Sequence, residues 1–245
     1  MGFPASITVA LFDLDGVLTD TAQVHRRAWK ETFDAFLARR LGDGYEPFSE
    51  DDYLAYVDGR PRADGVREFL GSRDITLPEG NPDDLPGDST VHGVGNQKNQ
   101  LLLAVIERHG VRVYPEAAGY LERLRAAGLR IGVVTSSANA EAVLRAADLA
   151  RLVEVRIDGV AITRRGLSGK PAPDSFLAGA EAFEVKPEQA VVFEDAVAGV
   201  EAGRAGAFGY VVGVDRVRDG RHADALRAAG ADVVVTDLTE LEQRR

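Results

Sequence analysis

The chain contains no cysteine, and it has one methionine and one tryptophan among its 245 residues. Without cysteine it can form no disulfide, no thiolate metal site and no cysteine nucleophile. Any metal must therefore bind through oxygen or imidazole. The 26 glycines and 10 prolines are too few for a collagen-like or low-complexity chain, and the apolar fraction of 45% indicates a globular protein.

Positive charge is also scarce, because 29 basic residues face 39 acidic ones and the net charge is −10. That sign disfavours a protein that wraps nucleic acid or lies on an anionic membrane. The N-terminal apolar run follows no basic residue and reaches Asp13 after about seven residues, too short for a signal peptide or a membrane span. We therefore expect a cytoplasmic protein that binds neither nucleic acid nor membrane.

Five short apolar runs each end in polar residues, as buried parallel strands do. Helix-spaced segments rich in Ala, Leu and Arg lie between the later runs. This alternation predicts an α/β protein with a Rossmann-like parallel sheet core, in which ligands bind beyond the carboxyl ends of the strands. The runs are Ile7–Phe12, Arg130–Val134, Ala190–Phe193, Tyr210–Val214 and Ala231–Val235.

Residues 20–109 interrupt the alternation with amphipathic, helix-spaced segments and no strand-like run. We interpret this part as an inserted α-helical cap domain, with residues 1–19 and 110–245 forming the core domain. A loop rich in proline and glycine, Thr76–Gly95, lies inside it. The helical segments are Ala22–Leu41, Asp51–Val57, Ala63–Leu70 and Asn96–Arg108.

Two pairs of acidic residues follow predicted strands. Asp13 and Asp15 come after the first run, where one carboxylate could act as a nucleophile while the other transfers a proton. The alternative is that both residues belong to a surface turn. Glu194 and Asp195 come after another run and suit a hard cation such as Mg²⁺, which prefers oxygen ligands. The alternative for Asp195 is a helix N-cap.

Two further motifs carry groups that could bind phosphate. Lys170 lies between a glycine and a proline at a helix entry, although most lysines are solvated surface charges. Hydroxyl and amide residues follow the second run, where ordinary helix capping is the alternative to phosphate binding. They are Thr135, Ser136, Ser137 and Asn139. The separate alternatives do not explain why all four motifs occur together in this order.

With these four motifs in place, the chain from Ile7 to about Val235 resembles the haloacid dehalogenase superfamily of aspartate-nucleophile phosphotransferases. The helical insertion is similar to that of the beta-phosphoglucomutase-like branch at His25, Trp29, Arg62 and Lys98. Structural interpretations stay open for these four residues. His25 and Trp29 lie four apart on one helix and could simply pack together, and the two cations could be solvated.

The resemblance implies a role for each of these residues. Asp13 would be the nucleophile and Asp15 the general acid and base. Mg²⁺ would bind Asp13, the Asp15 carbonyl, Glu194 and Asp195. Thr135, Ser136 and Lys170 would bind phosphate, and the substrate-binding residues would be His25, Trp29, Arg62, Lys98, Ser137 and Asn139.

The implied activity is a Mg²⁺-dependent phosphotransfer through an aspartyl phosphate, most specifically beta-phosphoglucomutase chemistry. There beta-glucose 1-phosphate becomes glucose 6-phosphate through the 1,6-bisphosphate. We expect a small phosphorylated sugar as partner and a monomer or weak homodimer. The alternatives are a sugar-phosphate or phosphoglycolate-like phosphatase, a metal-free dehalogenase and a non-catalytic phosphate-sensing domain. Ala138 and Ala196 stand where mutases of the branch carry lysine and serine, which leaves the sugar open.

Overall fold

A computed structural model of the chain describes residues 2–243, without the side chains of residues 43 and 243. The chain divides into two compact units, one made of the residues up to Asp20 and from Val111 onward, the other of Thr21–Gly110. Each boundary lies one residue from the predicted one, and positions 1, 244 and 245 of the predicted core lie outside the described residues. None of the described helices combines the length and apolarity that crossing a bilayer requires.

The first unit is built on a sheet of six parallel strands in the spatial order β3-β2-β1-β4-β5-β6. This confirms the predicted parallel α/β core. The strands are β1 (Val9–Phe12), β2 (Arg130–Val134), β3 (Val155–Ile157), β4 (Ala190–Glu194), β5 (Tyr210–Val214) and β6 (Val233–Val235).

The regular structure of the second unit is entirely helical. In the first unit, that unit's own helices surround the sheet. Short 3₁₀ turns lie at Gly42–Gly44, Ala150–Leu152 and Pro187–Gln189. The α-helices in chain order are α1 (Ala22–Leu41), α2 (Glu50–Tyr56), α3 (Arg62–Ser72), α4 (Val91–His109), α5 (Ala117–Ala126), α6 (Ala140–Ala146), α7 (Gly159–Arg165), α8 (Asp174–Ala182), α9 (Val197–Ala205), α10 (Arg221–Ala228) and α11 (Glu240–Gln243).

The two central strands, β1 and β4, fix the position of the first carboxylate motif. Every residue of both strands is buried, which is why their sequences are continuous apolar runs. Phe12 pairs with Phe193 across the two strands, and the two rings stack with centroids 4.1 Å apart. Since the register is parallel, the next residues, Asp13 and Glu194, emerge side by side at the carboxyl edge of the sheet.

The prediction of five strands was wrong by one. Strand β3 has only three residues, and the exposed Arg156 interrupts its apolar pattern. It lies at the edge of the sheet, where a strand pairs on one side only and part of it can be exposed to solvent. Such a strand is stabilised by its pairing with β2, which is a long-range contact that local sequence does not show.

The loop predicted over Thr76–Gly95 is also shorter than expected, because α4 begins at Val91. Thr90 caps the helix, its Oγ1 accepting a hydrogen bond from the Gly93 N–H at 2.9 Å. Two of the glycines that suggested a loop, Gly93 and Gly95, lie in α4 and allow close packing. A Cβ at Gly95 would lie 3.0 Å from the Arg62 side chain.

An aromatic cluster forms the core of the helical unit. Phe33 on α1 is fully buried, with its ring centroid 4.9 Å from that of Trp29, 4.3 Å from that of Phe69 and 5.1 Å from that of Phe48. Offset and tilted ring pairs of this kind add to the free energy gained from area burial alone.

We predict that Phe33→Ala lowers the free energy of unfolding by about 3–5 kcal/mol, because the vacated ring leaves a cavity among three aromatic side chains. Urea unfolding followed by the fluorescence of the single tryptophan, Trp29, measures it in this unit. Leu103→Ala is the control, since Leu103 is an exposed residue of the same unit and should change stability by less than about 0.5 kcal/mol. Equal losses in both variants would contradict the assigned core.

Candidate active site

Asp13 lies directly after β1 and is almost completely buried. Its backbone N–H donates to the Phe193 carbonyl at 2.9 Å, which continues the pairing with β4 by one residue. Its Oδ1 accepts a hydrogen bond from Lys170 Nζ at 2.6 Å. The sheet register therefore holds this carboxylate in one place and gives it a cationic partner.

Lys170 connects three neighbouring strand ends. Its side chain is fully buried, and its ammonium pairs with Glu194 as well as with Asp13. It also lies 3.3 Å from the Val134 carbonyl at the end of β2 and 4.9 Å from the centre of the Phe176 ring. The interpretation of Lys170 as a solvated surface charge is therefore wrong.

The charges of this group do not balance. Burial raises the pKa of Asp13 to about 6, against the attraction of Lys170, and the nearby charge of Asp15 adds to the rise. Burial likewise raises the pKa of Glu194 to about 7. Burial alone would lower the pKa of Lys170, but its two carboxylate partners outweigh that effect and raise it. One ammonium thus serves two buried carboxylates, a pattern that favours further positive charge at the site.

Glycines make room for the acidic pair at the end of β4, Glu194 and Asp195. A Cβ at Gly16 would collide with the Asp195 carboxylate, and a Cβ at Gly199 would collide with that of Glu194. Asp195 therefore lies against the backbone of the Asp13–Asp15 loop. The alternative that Asp195 is a helix N-cap is wrong, because the N-cap of α9 is Ala196, whose N–H is bound by Glu194 Oε2 at 3.0 Å.

The loop that carries Asp15 is a tight turn. The Gly16 N–H donates to the Thr19 carbonyl at 2.7 Å, and the Thr19 N–H and hydroxyl both donate to the Leu14 carbonyl. Asp15 is half-buried, and its backbone N–H donates to the Asp13 carboxylate. A turn is present, but it is not the surface turn of the alternative interpretation, because Asp13 is buried and Asp15 half-buried.

The hydroxyl motif follows β2, which neighbours β1 in the sheet. Thr135 Oγ1 accepts from the Ser137 N–H at 3.1 Å, and Ser137 Oγ accepts from the Asn139 N–H at 3.3 Å. These two hydroxyls bind backbone N–H groups of the turn before α6, which is not helix capping, so the capping interpretation is not confirmed. Each hydroxyl hydrogen can still donate to an anion. Asn139 is the N-cap residue of α6, but its side chain makes no capping bond.

In the helical unit, Lys98 is buried and its ammonium contacts two predicted residues. Lys98 Nζ lies 3.0 Å from His25 Nδ1 and 5.1 Å from the centre of the Trp29 ring. Burial and the charges of Lys98 and Arg62 lower the pKa of His25 well below its usual range. His25 is therefore neutral, and its Nδ1 accepts the hydrogen bond from the ammonium.

Arg62, the first residue of α3, is held by amide groups. Its Nη1 donates to Asn96 Oδ1 at 3.3 Å and its Nη2 to Asn99 Oδ1 at 2.9 Å, both on α4. Burial lowers the pKa of Arg62. Amide oxygens are uncharged, so these bonds orient the guanidinium without neutralising it. The interpretation of Arg62 and Lys98 as solvated charges is wrong for both, since one is half-buried and the other buried.

A family model described as haloacid dehalogenase-like hydrolase matches residues 7–206. The chain belongs to this family. The finding confirms the resemblance drawn from the motifs. It also makes the chain an enzyme of the hydrolase family, in place of the non-catalytic sensing domain that was one of the alternatives.

Relatives of this hydrolase-family chain include enzymes of two activities. A beta-phosphoglucomutase from Mycobacterium bovis is 51% identical to it, over 98% of this chain and 94% of the relative. A validoxylamine A 7'-phosphate phosphatase from Streptomyces hygroscopicus is 34% identical, over 95% of each chain. Among solved structures, CbbY from Rhodobacter sphaeroides in complex with phosphate is 26% identical with a TM-score of 0.71, over 96% of each chain.

The family generally works with Mg²⁺, and the side chains of this structure can be tested against that ion. Among the described residues, no three His, Asp or Glu side chains already converge as a ligand set, since Lys170 lies between Asp13 and Glu194. The donor chemistry nevertheless fits a hard cation. The carboxylates of Asp13, Glu194 and Asp195, at the ends of β1 and β4, would supply the oxygen donors.

Sequence reasoning missed residues that hold the site from outside the motifs. His222 on α10 donates from Nε2 to the Asp195 carbonyl at 2.8 Å. Asn96 binds Arg62 and also donates to the carbonyls of Pro82 and Asp84, both at 2.9 Å. Asn96 and Asn99 lie three apart on α4 and therefore on one face of the helix, a spacing that could have indicated their joint contact with Arg62. No local pattern marks His222.

We predict that the metal-free enzyme loses stability as the pH rises from 5 to 8. The folded pKa values of Asp13 and Glu194, about 6 and about 7, lie above their ordinary values. The folded state thus retains protons that the unfolded chain has released. The stability that these protons contribute is complete below pH of about 4 and is lost as the pH passes through 6 to 7.

Urea unfolding in EDTA measures this slope, and Mg²⁺ should restore more stability at pH 8 than at pH 5, because protons and the ion compete for the same carboxylates. The double variant Asp13→Asn, Glu194→Gln should flatten the slope. Glu188→Gln, which changes an exposed carboxylate, should leave it unchanged. A metal-free slope of the opposite sign would contradict the assignment of raised pKa values.

Proposed function

We propose that the protein is a Mg²⁺-dependent phosphotransferase that forms an aspartyl phosphate and acts as a beta-phosphoglucomutase. The observation that carries the proposal is the buried Asp13 carboxylate, hydrogen-bonded to Lys170 beside Glu194, in a chain that is 51% identical to such a mutase along almost its full length. We further propose that the helical unit is the cap that selects the substrate.

Asp13 is the proposed nucleophile. Its carboxylate attacks the phosphoryl group of the substrate, and the phosphorus–oxygen bond to the sugar breaks. Two anions must approach each other, and unit charges about 4 Å apart repel by about 4 kcal/mol at an effective dielectric constant of about 20. Lys170 offsets part of this repulsion. When bound, Mg²⁺ would be held by Asp13, the Asp15 carbonyl, Glu194 and Asp195, and it would supply further positive charge at the transferring phosphoryl group.

Asp15 is the proposed general acid and base. It donates a proton to the leaving sugar oxygen and later accepts one from the hydroxyl that attacks the aspartyl phosphate. Its half-buried position at a tight turn beside Asp13 supports this assignment. We propose that Thr135, Ser136 and the N–H groups near them donate to the remaining phosphoryl oxygens.

Arg62 is proposed to bind the distal, non-reacting phosphate of the bisphosphate. A half-buried guanidinium whose described partners are two uncharged amides still lacks a counter-ion, and a phosphate accepts two parallel hydrogen bonds from such a fork. The neutral His25, the Lys98 ammonium and Trp29 are proposed to orient the sugar, with Ser137 and Asn139. A second phosphate site is what a mutase requires in addition to the nucleophile.

The second candidate is a sugar-phosphate phosphatase, in which water replaces the sugar hydroxyl as acceptor. The 34% identical validoxylamine A 7'-phosphate phosphatase favours it, because that match covers 95% of the chain, against 98% for the mutase. Both candidates use the same first half-reaction.

We retain the expectations of a cytoplasmic protein and of a monomer or weak homodimer as part of the proposal.

We predict that, with beta-glucose 1-phosphate and a trace of glucose 1,6-bisphosphate, the enzyme forms glucose 6-phosphate in large excess over inorganic phosphate. Both products are measured in the same reaction with Mg²⁺ present. Asp13→Asn should abolish both, because an amide cannot accept the phosphoryl group. Phosphate as the main product would overturn the mutase and favour the phosphatase.

We predict that Arg62→Ala lowers kcat/KM for the mutase reaction by roughly 10²-fold, since two charge-assisted hydrogen bonds to the distal phosphate are lost. The share of free phosphate among the products should rise, because water replaces a poorly held sugar phosphate as the acceptor of the phosphoryl group. The matched control is Arg67→Ala on the same helix, because Arg67 is exposed and already paired with Glu79 and Asp64. If both variants lose activity equally, Arg62 has no phosphate-binding role.

A further inference from the structure

Arg216, directly after Asp215 at the end of β5, binds the turn that follows the acidic pair of β1. Its Nε donates to the Gly16 carbonyl at 3.1 Å and its Nη2 to the Val17 carbonyl at 3.0 Å. Its Nη1 donates to the Thr236 carbonyl after β6 at 3.0 Å. One side chain thus joins the loops that follow β1, β5 and β6, from a sequence distance of about 200 residues.

The two carbonyls that it binds are those next to Asp15. Gly16 and Val17 are buried, so a carbonyl deprived of its donor there costs about 1–3 kcal/mol. Gly16 has a φ of +92°, a conformation that side chains rarely adopt, and the Asp195 carboxylate packs against it. The backbone after Asp15 is therefore constrained on one side by Asp195 and on the other by Arg216.

Contacts outside the turn also hold the Arg216 side chain in place. Its Nη2 lies 2.7 Å from a carboxylate oxygen of Glu116, and its guanidinium lies 3.6 Å from the centre of the Tyr114 ring. The carboxylate of Asp215 accepts from the N–H groups of Val217 and Arg218, at 3.1 and 3.0 Å. These contacts remove rotational freedom from the side chain, so it holds the turn at little further entropic cost.

We propose that Arg216 is a positioning residue, which sets the orientation of Asp15 for proton transfer through the Gly16–Val17 carbonyls. The inference rests on the proposed function, since it assigns Asp15 as the general acid. In that step an Asp13 oxygen bonds to phosphorus, the bond from phosphorus to the leaving oxygen breaks, and the leaving oxygen keeps the electron pair and takes the proton of Asp15.

The role makes a prediction that a purely structural role does not make. An alkoxide leaving group, as in a sugar phosphate, needs the proton of Asp15, whereas the stable phenolate of para-nitrophenyl phosphate leaves without one. Misplacing Asp15 should therefore slow cleavage of the sugar phosphate and leave the rate of cleavage of the aryl phosphate nearly unchanged. A loss of folded enzyme would lower both rates by the same factor.

The test compares kcat/KM for the two substrates in Arg216→Met. We expect the value for beta-glucose 1-phosphate to fall by roughly 10²-fold, as a displacement of about 1 Å in a catalytic group does. The value for para-nitrophenyl phosphate should stay within about threefold, because it needs no general acid. The ratio of the two values does not depend on the folded fraction, so partial unfolding leaves the test valid.

Arg216→Lys keeps the charge but offers a single nitrogen, which cannot reach the three carbonyls in the fork geometry. It should show the same selective loss, and it replaces the methionine variant if that variant does not fold. Arg130→Met is the matched control. Arg130 also makes an ion pair, with Glu154, a contact to a backbone carbonyl and a contact to an aromatic ring, but it lies at the amino end of β2.

Equal losses for the two substrates in the Arg216 variants would overturn the proposal, as would the same selective loss in Arg130→Met. Full recovery of the sugar phosphate rate in Arg216→Lys would also overturn it, because the fork geometry would then be unnecessary. A wild-type enzyme inactive on both substrates would overturn the proposed function itself, an outcome distinct from all of these.

Discussion

The active site depends on one buried ammonium group shared by two carboxylates. Placing Lys170, Asp13 and Glu194 away from water costs several kcal/mol for each ion, and their mutual attraction offsets this only while all three keep their geometry. The parallel register of β1 and β4 supplies that geometry, because it brings the two carboxylates out at adjacent positions. The pairing of β1 with β4 thus also determines which charges lie next to each other in the site.

The same constraint explains why small residues surround the acidic groups. Gly16 and Gly199 leave the space that the carboxylates of Asp195 and Glu194 occupy. A methyl group at either position would displace an oxygen that the site needs. The negative charge gathered in this way exceeds what Lys170 neutralises, so a buried site of this composition is stabilised by binding a cation.

Much of the α/β unit could be predicted from sequence because its strands are buried on both faces and end in polar residues. The positions of Asp13, Thr135 and Glu194 at the strand ends were predicted in this way. The three-residue strand β3 could not be predicted, since Arg156 breaks its pattern and its stability comes from pairing with β2. In the helical unit, the glycines of α4 pointed to a loop although they allow close packing there.

The residues that hold the site were harder to find than the residues that compose it. Arg216 and His222 act through backbone carbonyls about 200 and 27 positions away, and a carbonyl acceptor leaves no trace in the sequence of the residue that bears it. The burial of Lys170 is a similar case, because the flanking Gly169 and Pro171 singled it out without showing that the side chain is enclosed. Such contacts follow from topology, which brings distant strand ends to one edge.

In the proposed mechanism, the distinction between a mutase and a phosphatase cannot lie in the carboxylate cluster, because both candidate reactions would form the same aspartyl phosphate. It must lie in the groups that hold the acceptor. Here Arg62 is oriented by uncharged amides, and one of them, Asn96, is also bound to the carbonyls of Pro82 and Asp84 in the preceding loop. A change in that loop would therefore move the guanidinium without touching it. On the proposed role of Arg62, loop length and sequence in this region would alter the choice of acceptor while the chemistry of the core stays the same.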